Sequence, residues 1–204
     1  MDTYLPPIDK PRGAMMRLVY FFSRRQLGKV MTSIRVFAAR MPTAFGSFYA
    51  KPARLDKKLQ LPSQTVVLIR EQVASTNLCT FCMDAARWYV MTKEPSDLAR
   101  LDALPEYQTS PLFTEAQRAA LDYATELTRD KTVEPGTFAR LTSYYNEREI
   151  CEIVWLVASE HLNNMTNIGL GIGSDGLCEL AQRTGKASKS ASHTAAKNGS
   201  AGSR

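Results

Sequence analysis

Histidine is almost missing. The 204 residues hold two, His161 and His193, and neither has a histidine or cysteine pair beside it. A structural zinc site needs four ligands, usually two spaced pairs, so this composition gives it little support. Long apolar runs are missing too. The run Leu18-Val19-Tyr20-Phe21-Phe22 is too short for the core of a secretory signal and leads straight into Ser23-Arg24-Arg25. Nothing approaches the roughly 18 consecutive apolar residues of a membrane-spanning helix. A cytoplasmic protein with reduced thiols is therefore expected. Four cysteines at this length are too few for a disulfide scaffold. Strand signals are absent as well: no period-two segment is bounded by hairpin turns.

Acidic residues are scarce at both ends. Residues 10–60 carry twelve Lys/Arg against Asp56 alone, residues 61–182 carry nine against seventeen acids, and residues 183–204 carry five with no acid. Basic ends of this kind contact nucleic acid or an anionic membrane, or else pack on the acidic middle of their own or a neighbouring subunit. The second reading is favoured, because the basic stretch holds no nucleic-acid-binding motif.

What is present is helical periodicity, and with 44% hydrophobic residues the chain can build one core. The spacing predicts a basic N-terminal helical arm over residues 1–50, a helical core over 51–182 and a disordered basic tail over 183–204. The tail has no large apolar residue to offset the entropy of ordering, and it contains His193, which leaves His161 as the histidine of the folded part. Val66, Val67, Arg70, Val73 and Ala74 mark a helix over 63–75, with a second helix starting near Asn77 as cap. Thr114 followed by Gln117 reads as a capping box, and Pro135 as the first turn of a helix presenting Phe138, Leu141 and Tyr145. Ile150 to Met165 form the stripe of a long helix that stops at Gly169-Leu-Gly-Ile-Gly173, and Cys151 is expected in the core beside Ile150.

The stretch LCTFCMDAARWYV, residues 78–90, places Cys79 and Cys82 three apart in the first turn of a predicted helix. There, free backbone N–H groups and the helix dipole favour thiolate. The pair is redox-active, half of a metal site, or a pair of buried thiols; the metal reading is the least favoured, because the remaining candidate ligands Cys151, Cys178 and His161 are each isolated in the sequence. Cys178 is either a third redox thiol or a packing residue. His161 is either a satisfied core or interface histidine or a base for the thiols, and Asn163, Asn164 and Asn167 are polar residues that line a pocket or a subunit contact.

These segments, residues 69–91, 113–128 and 147–178, resemble the alkylhydroperoxidase D-like branch of the carboxymuconolactone decarboxylase superfamily over most of residues 40–180. The resemblance implies an all-α helical bundle, a homo-oligomer (a trimer or a multiple of one), no cofactor and no metal. It also implies a thiol-dependent oxidoreductase in which Cys82 attacks a small-molecule substrate such as a hydroperoxide, Cys79 resolves, and an external thiol reductant regenerates the pair. The family's proton relay has a Glu twelve residues before the first cysteine and a His four after the second. Here those positions hold Val67 and Ala86, which weighs against full peroxidase activity. Glu71, one turn beyond Val67, is the candidate replacement carboxylate, or else a solvated surface Glu. The decarboxylases of the superfamily lack the Cys-x-x-Cys, so lactone decarboxylation is not implied. Two other classes remain: a non-catalytic, redox-sensing or ligand-binding oligomer, and a cofactor-free enzyme of specialised metabolism.

Overall fold

The structure, a computed structural model, describes residues 3–46 and 55–183. The tail expected over 183–204 lies outside them except for Arg183, as does the boundary expected between arm and core. Every regular element among the described residues is helical, so the protein is all-α. None of those helices is long and apolar enough to cross a membrane.

Among the described residues, eight α-helices longer than one turn follow in order: α1 Ala14–Leu27, α2 Ser63–Thr76, α3 Thr80–Lys93, α4 Leu98–Asp102, α5 Glu115–Asp130, α6 Pro135–Thr142, α7 Glu147–Gly169 and α8 Leu177–Arg183. Local chemistry sets their ends. Thr114 and Gln117 close a capping box on α5, and Asn146 and Glu149 close another on α7, each satisfying two otherwise orphaned N–H groups. Pro135 opens α6, where its missing N–H costs nothing. Gly28, with φ 80°, ends α1 in the left-handed conformation that lets its N–H reach the Arg24 carbonyl at 2.8 Å.

Helix α2 is the axis of the core and packs against α5 and α7. Ile69 and Val73 meet Ala120, Ala124, Ile153 and Val157 there, all of them buried. Burying a side chain of the Val or Ile size contributes about 1.5–3 kcal/mol, so this layer is the main source of cohesion. One expectation fails at its edge. Cys151 is exposed rather than in the core, because the buried stripe of α7 runs through Ile153, Leu156 and Val157. On α6, Leu141 is fully buried while Phe138 is 45% exposed. The outer face of α7 instead presents Val154, Leu162, Met165 and Ile168 at helical spacing.

The N-terminal stretch has its own cluster of Met16, Tyr20, Val30, Ile34 and Ala38 and does not stand off from the bundle. Its Val36 joins the cluster of Ala74, Cys79, Phe81, Cys82 and Ile172. Thr32 donates from N and Oγ1 to Asp175 at 2.7 and 2.6 Å, and Lys29 pairs with the same carboxylate at 3.0 Å. Val36 sits within a π-helical turn over Ile34–Ala38 that follows these contacts in the chain.

Asp84 on α3 fastens the C-terminal end. Its carboxylate accepts from Ser174 Oγ at 2.9 Å and from the backbone N–H groups of Asp175, Leu177 and Cys178 at 3.0, 2.9 and 3.2 Å. Burial opposes its charge, but the hydrogen bonds from Leu177 and Cys178 outweigh burial and hold it below the ordinary carboxylate range. Asp84→Ala is expected to cost about 2–3 kcal/mol in urea denaturation, the range for hydrogen bonds to a charged group. Because the folded state depresses its pKa, this contribution is complete above the unfolded value and disappears as pH falls through the folded one. Wild type and variant should therefore converge in stability in acid.

Candidate redox site

The turn between α2 and α3 presents the cysteines. Asn77 ends α2, Leu78 takes φ 59°, and Cys79 occupies the N-cap of α3 with its N–H on the Ala74 carbonyl at 2.9 Å. A left-handed leucine is strained, and its side chain is left 79% exposed. The cap expected at Asn77 is therefore at Cys79, and the Asn77 side chain is released for another use. Cys82 follows at the third helical position, and the two cysteines, with Cα atoms 5.3 Å apart, form a disulfide.

The two sulfurs have different surroundings. Cys79 is 1% exposed and enclosed. Cys82 lines a cavity of about 760 Å³ walled mainly by apolar groups, among them Met31, Phe37, Phe45, Phe81 and Tyr89. Val67 and Ala86, the two positions that the resemblance matches to a relay Glu and His, both line this cavity.

A hydrogen-bonded chain reaches Cys82 from α7. Asn164, with no exposed surface, donates from Nδ2 to Cys82 Sγ at 3.1 Å and to Glu160 Oε1 at 2.7 Å. Its Oδ1 accepts from Asn77 Nδ2 at 2.9 Å. A carboxylate only accepts, which fixes the amide so that both N–H groups face Glu160 and the sulfur. Glu160 pairs through Oε2 with Arg70 at 3.0 Å, and Arg70 pairs with Asp56 at 2.8 Å. Asn167 also turns its Nδ2 to Cys82 Sγ, at 3.6 Å. Glu160, Arg70 and Asp56 all line the cavity. Arg70 was legible in the sequence only as part of a helical stripe, and Glu160 only as the neighbour of His161; neither carried a motif.

The other candidates are placed elsewhere. Glu71 is buried, not a solvated surface group, and it lines a second cavity of about 440 Å³ with Ser75, Thr76, Met83 and Arg87 that includes neither cysteine. Its Oε2 has no hydrogen-bond partner. Burial first, and then the charge of Glu160, push its pKa up to about 7, with Arg87 opposing. His161 accepts at Nδ1 from Asn77 Nδ2 at 3.3 Å, so it meets the sulfur through Asn77 and Asn164 rather than directly. Burial and then Lys131 lower its pKa, keeping the ring neutral at physiological pH. Cys178 donates to the Asp84 carbonyl at 3.5 Å, and burial followed by Asp84 pushes its thiol up to about 12, which makes it a poor nucleophile. Among the described residues no group of three or more His, Cys, Asp or Glu side chains is placed to hold a metal ion.

No protein-family model matches the chain. Among curated proteins it is similar to the uncharacterized protein YnjA of Escherichia coli (strain K12), with 28% identity over 182 residues, 88% of this chain and 98% of YnjA. Among solved structures it is similar to a cysteine-to-alanine variant of the debrominase Bmp8 in complex with 2,3,4-tribromopyrrole, at 19% identity and TM-score 0.73, covering 90% of this chain and 98% of that one. It is also similar to an alkylhydroperoxidase AhpD core, a peroxidase-related protein from Ralstonia eutropha JMP134, at 20% identity and TM-score 0.69, covering 86% of this chain and 94% of that one. With its helix order and its cysteine pair at the start of α3, the chain has the alkylhydroperoxidase D-like fold.

Proposed function

We propose that the protein is a dithiol oxidoreductase that reduces a bulky apolar organic molecule, an organic hydroperoxide in the first instance. The observation that carries this reading is the asymmetry of the pair: Cys82 opens to a cavity of about 760 Å³, while Cys79 is enclosed behind it. Reduced Cys82 attacks the terminal oxygen of the hydroperoxide, the O–O bond breaks, and the departing alkoxide takes a proton to become the alcohol. Cys79 then attacks the sulfur of the resulting sulfenic acid, forming the disulfide and releasing water. An external thiol reductant returns the pair to the dithiol. Helix N-terminal N–H groups and the Asn164 amide favour the thiolate. Asn164, held by Glu160, takes the place that a titrating relay occupies in the family pattern. The apolar face of α7 is of the kind that a second copy of a chain covers, and a homo-oligomer is part of this reading.

A second reading is reductive dehalogenation, favoured by the likeness to the debrominase bound to tribromopyrrole. The balance is similar: the pair supplies two electrons and a proton, the carbon–halogen bond becomes carbon–hydrogen, halide leaves and the disulfide forms. The discriminating assay gives reduced protein one equivalent of cumene hydroperoxide or of 2,3,4-tribromopyrrole. Disulfide formation with alcohol release is expected from the first and bromide release would favour the second; Cys82→Ser abolishes both. If neither reagent oxidises the pair, the enzyme reading is wrong and a redox-sensing or ligand-binding role replaces it.

Asn164→Leu removes the donor at nearly constant volume. The pH profile of Cys82 alkylation is expected to move to higher pH, and the rate at pH 7 to fall about tenfold, since one hydrogen bond to a charged group is about 1.5–3 kcal/mol. An unmoved profile in a cooperatively melting variant would reduce Asn164 to a packing role.

Glu71 has a different signature. Its folded pKa is raised, so charging it penalises the native state increasingly as pH rises from the unfolded value to the folded one near 7. Glu71→Gln is therefore expected to gain stability over wild type between pH 5 and 8, reaching on the order of 3 kcal/mol, while leaving the Cys82 alkylation profile in place. A changed profile at constant stability would assign Glu71 to the thiol after all.

A further inference from the structure

Asn167 carries an unmatched group beside the sulfur. The side chain is 6% exposed, its Nδ2 donates to the Asn163 carbonyl at 2.9 Å, and its Oδ1 has no hydrogen-bond partner. A backbone carbonyl only accepts, so the amide cannot be turned to pair its oxygen there. The other carboxamide in contact with Cys82 contrasts with it: Asn164 is satisfied at both ends. Two polar neighbours along the cavity are engaged elsewhere. The Tyr89 hydroxyl reaches Glu94, and the Thr166 hydroxyl donates to the Leu162 carbonyl. A buried acceptor without a donor is rare and destabilising in a finished protein, and Asn167 is among the residues that line the cavity Cys82 opens to.

We infer that Asn167 Oδ1 is the substrate's hydrogen-bond acceptor, so that Cys82 acts on an apolar molecule bearing an O–H or N–H donor next to the bond that breaks. This rests on the dithiol reading and narrows its substrate class. In a hydroperoxide the terminal O–H is both the donor and the oxygen that sulfur attacks, so one contact with Oδ1 brings the reacting atom to Sγ. After the O–O bond breaks, that oxygen and its hydrogen stay on Cys82 as S–O–H, and the hydrogen keeps the same acceptor. The departing alkoxide takes its proton from solvent. A dialkyl peroxide of equal bulk has no such hydrogen, and its binding leaves Oδ1 unpaired. Sites built this way discriminate strongly against analogues lacking the donor.

The test uses two unreactive probes of matched shape, cumyl alcohol and cumyl methyl ether, on the reduced full-length chain. The measurement is the slowing of iodoacetamide labelling at Cys82, resolved from the exposed Cys151 by peptide mass spectrometry and normalised to the unliganded rate. In wild type the alcohol should reach half-protection at a concentration about tenfold below the ether, as one hydrogen bond predicts. Asn167→Leu should bring the ratio close to one, and Asn167→Asp, which keeps an acceptor, should retain it. If Asn167→Leu does not melt cooperatively, Asn167→Ala takes its place. Equal protection in wild type, no protection by either probe, or a preference that survives loss of the acceptor overturns the inference. A parallel single turnover with cumene hydroperoxide separates the two claims. A disulfide with no donor preference removes only the role of Asn167, whereas no disulfide removes the dithiol reading whatever the probes show.

Discussion

The contact between the Asn164 amide and Cys82 joins the parts of the structure that make the site. Asn164 has no exposed surface, so each of its polar atoms must find a partner within the protein, and each partner comes from a different direction. Asn77 arrives from the turn before the cysteines, Glu160 from one turn earlier on α7, and Cys82 from α3. Moving any of the three would strand a buried donor or acceptor, at about 1–3 kcal/mol each. The left-handed Leu78 follows from the same geometry: the turn must be tight enough to bring Asn77 against α7 while Cys79 begins the next helix. The strained backbone beside the cysteine pair persists because the surrounding contacts over-determine it.

The N-terminal stretch is bound into this arrangement. Met31, Phe37 and Phe45 line the cavity together with Phe81 and Cys82 of α3, and Val36 packs into the cluster that holds the cysteines. Asp175 ties the stretch down through Thr32 and Lys29, and its own backbone N–H is held by Asp84. The polar fastening at Asp84 and Asp175 thus positions the apolar wall several residues away. The basic charge of this segment, conspicuous in the sequence, is partly spent inside the protein: Arg35 meets Asp9, and Arg40 donates to the Val36 and Pro6 carbonyls.

The helices were legible in the sequence where local rules decide them. The capping box at Thr114 and Gln117, the proline at 135, the helix from residue 63 and the end of α7 at Gly169 all follow from short-range chemistry. Cys151 was misread because a broad apolar stripe has two edges, and periodicity alone does not say which one faces the core. Glu71 was misplaced for a related reason. One turn along a helix keeps a residue near the same face, but a face about 10 Å wide can border two different cavities. Glu160 and Arg70 had no local signal at all, since their pairing spans ninety residues and becomes visible only when α2 lies beside α7.

Val67 and Ala86 have one physical consequence together. Both line the cavity and contribute an apolar surface beside the sulfur. An apolar wall lowers the local dielectric and makes each remaining dipole count for more. In such a site a neutral amide anchored by a buried ion pair supplies a directed donor without changing charge. The Asp56–Arg70–Glu160 chain keeps the carboxylate behind Asn164 compensated, so Cys82 Sγ meets an N–H rather than a like charge. The sulfur of Cys82 is thus flanked by an apolar wall on one side and by the Asn164 amide, held by Glu160, on the other.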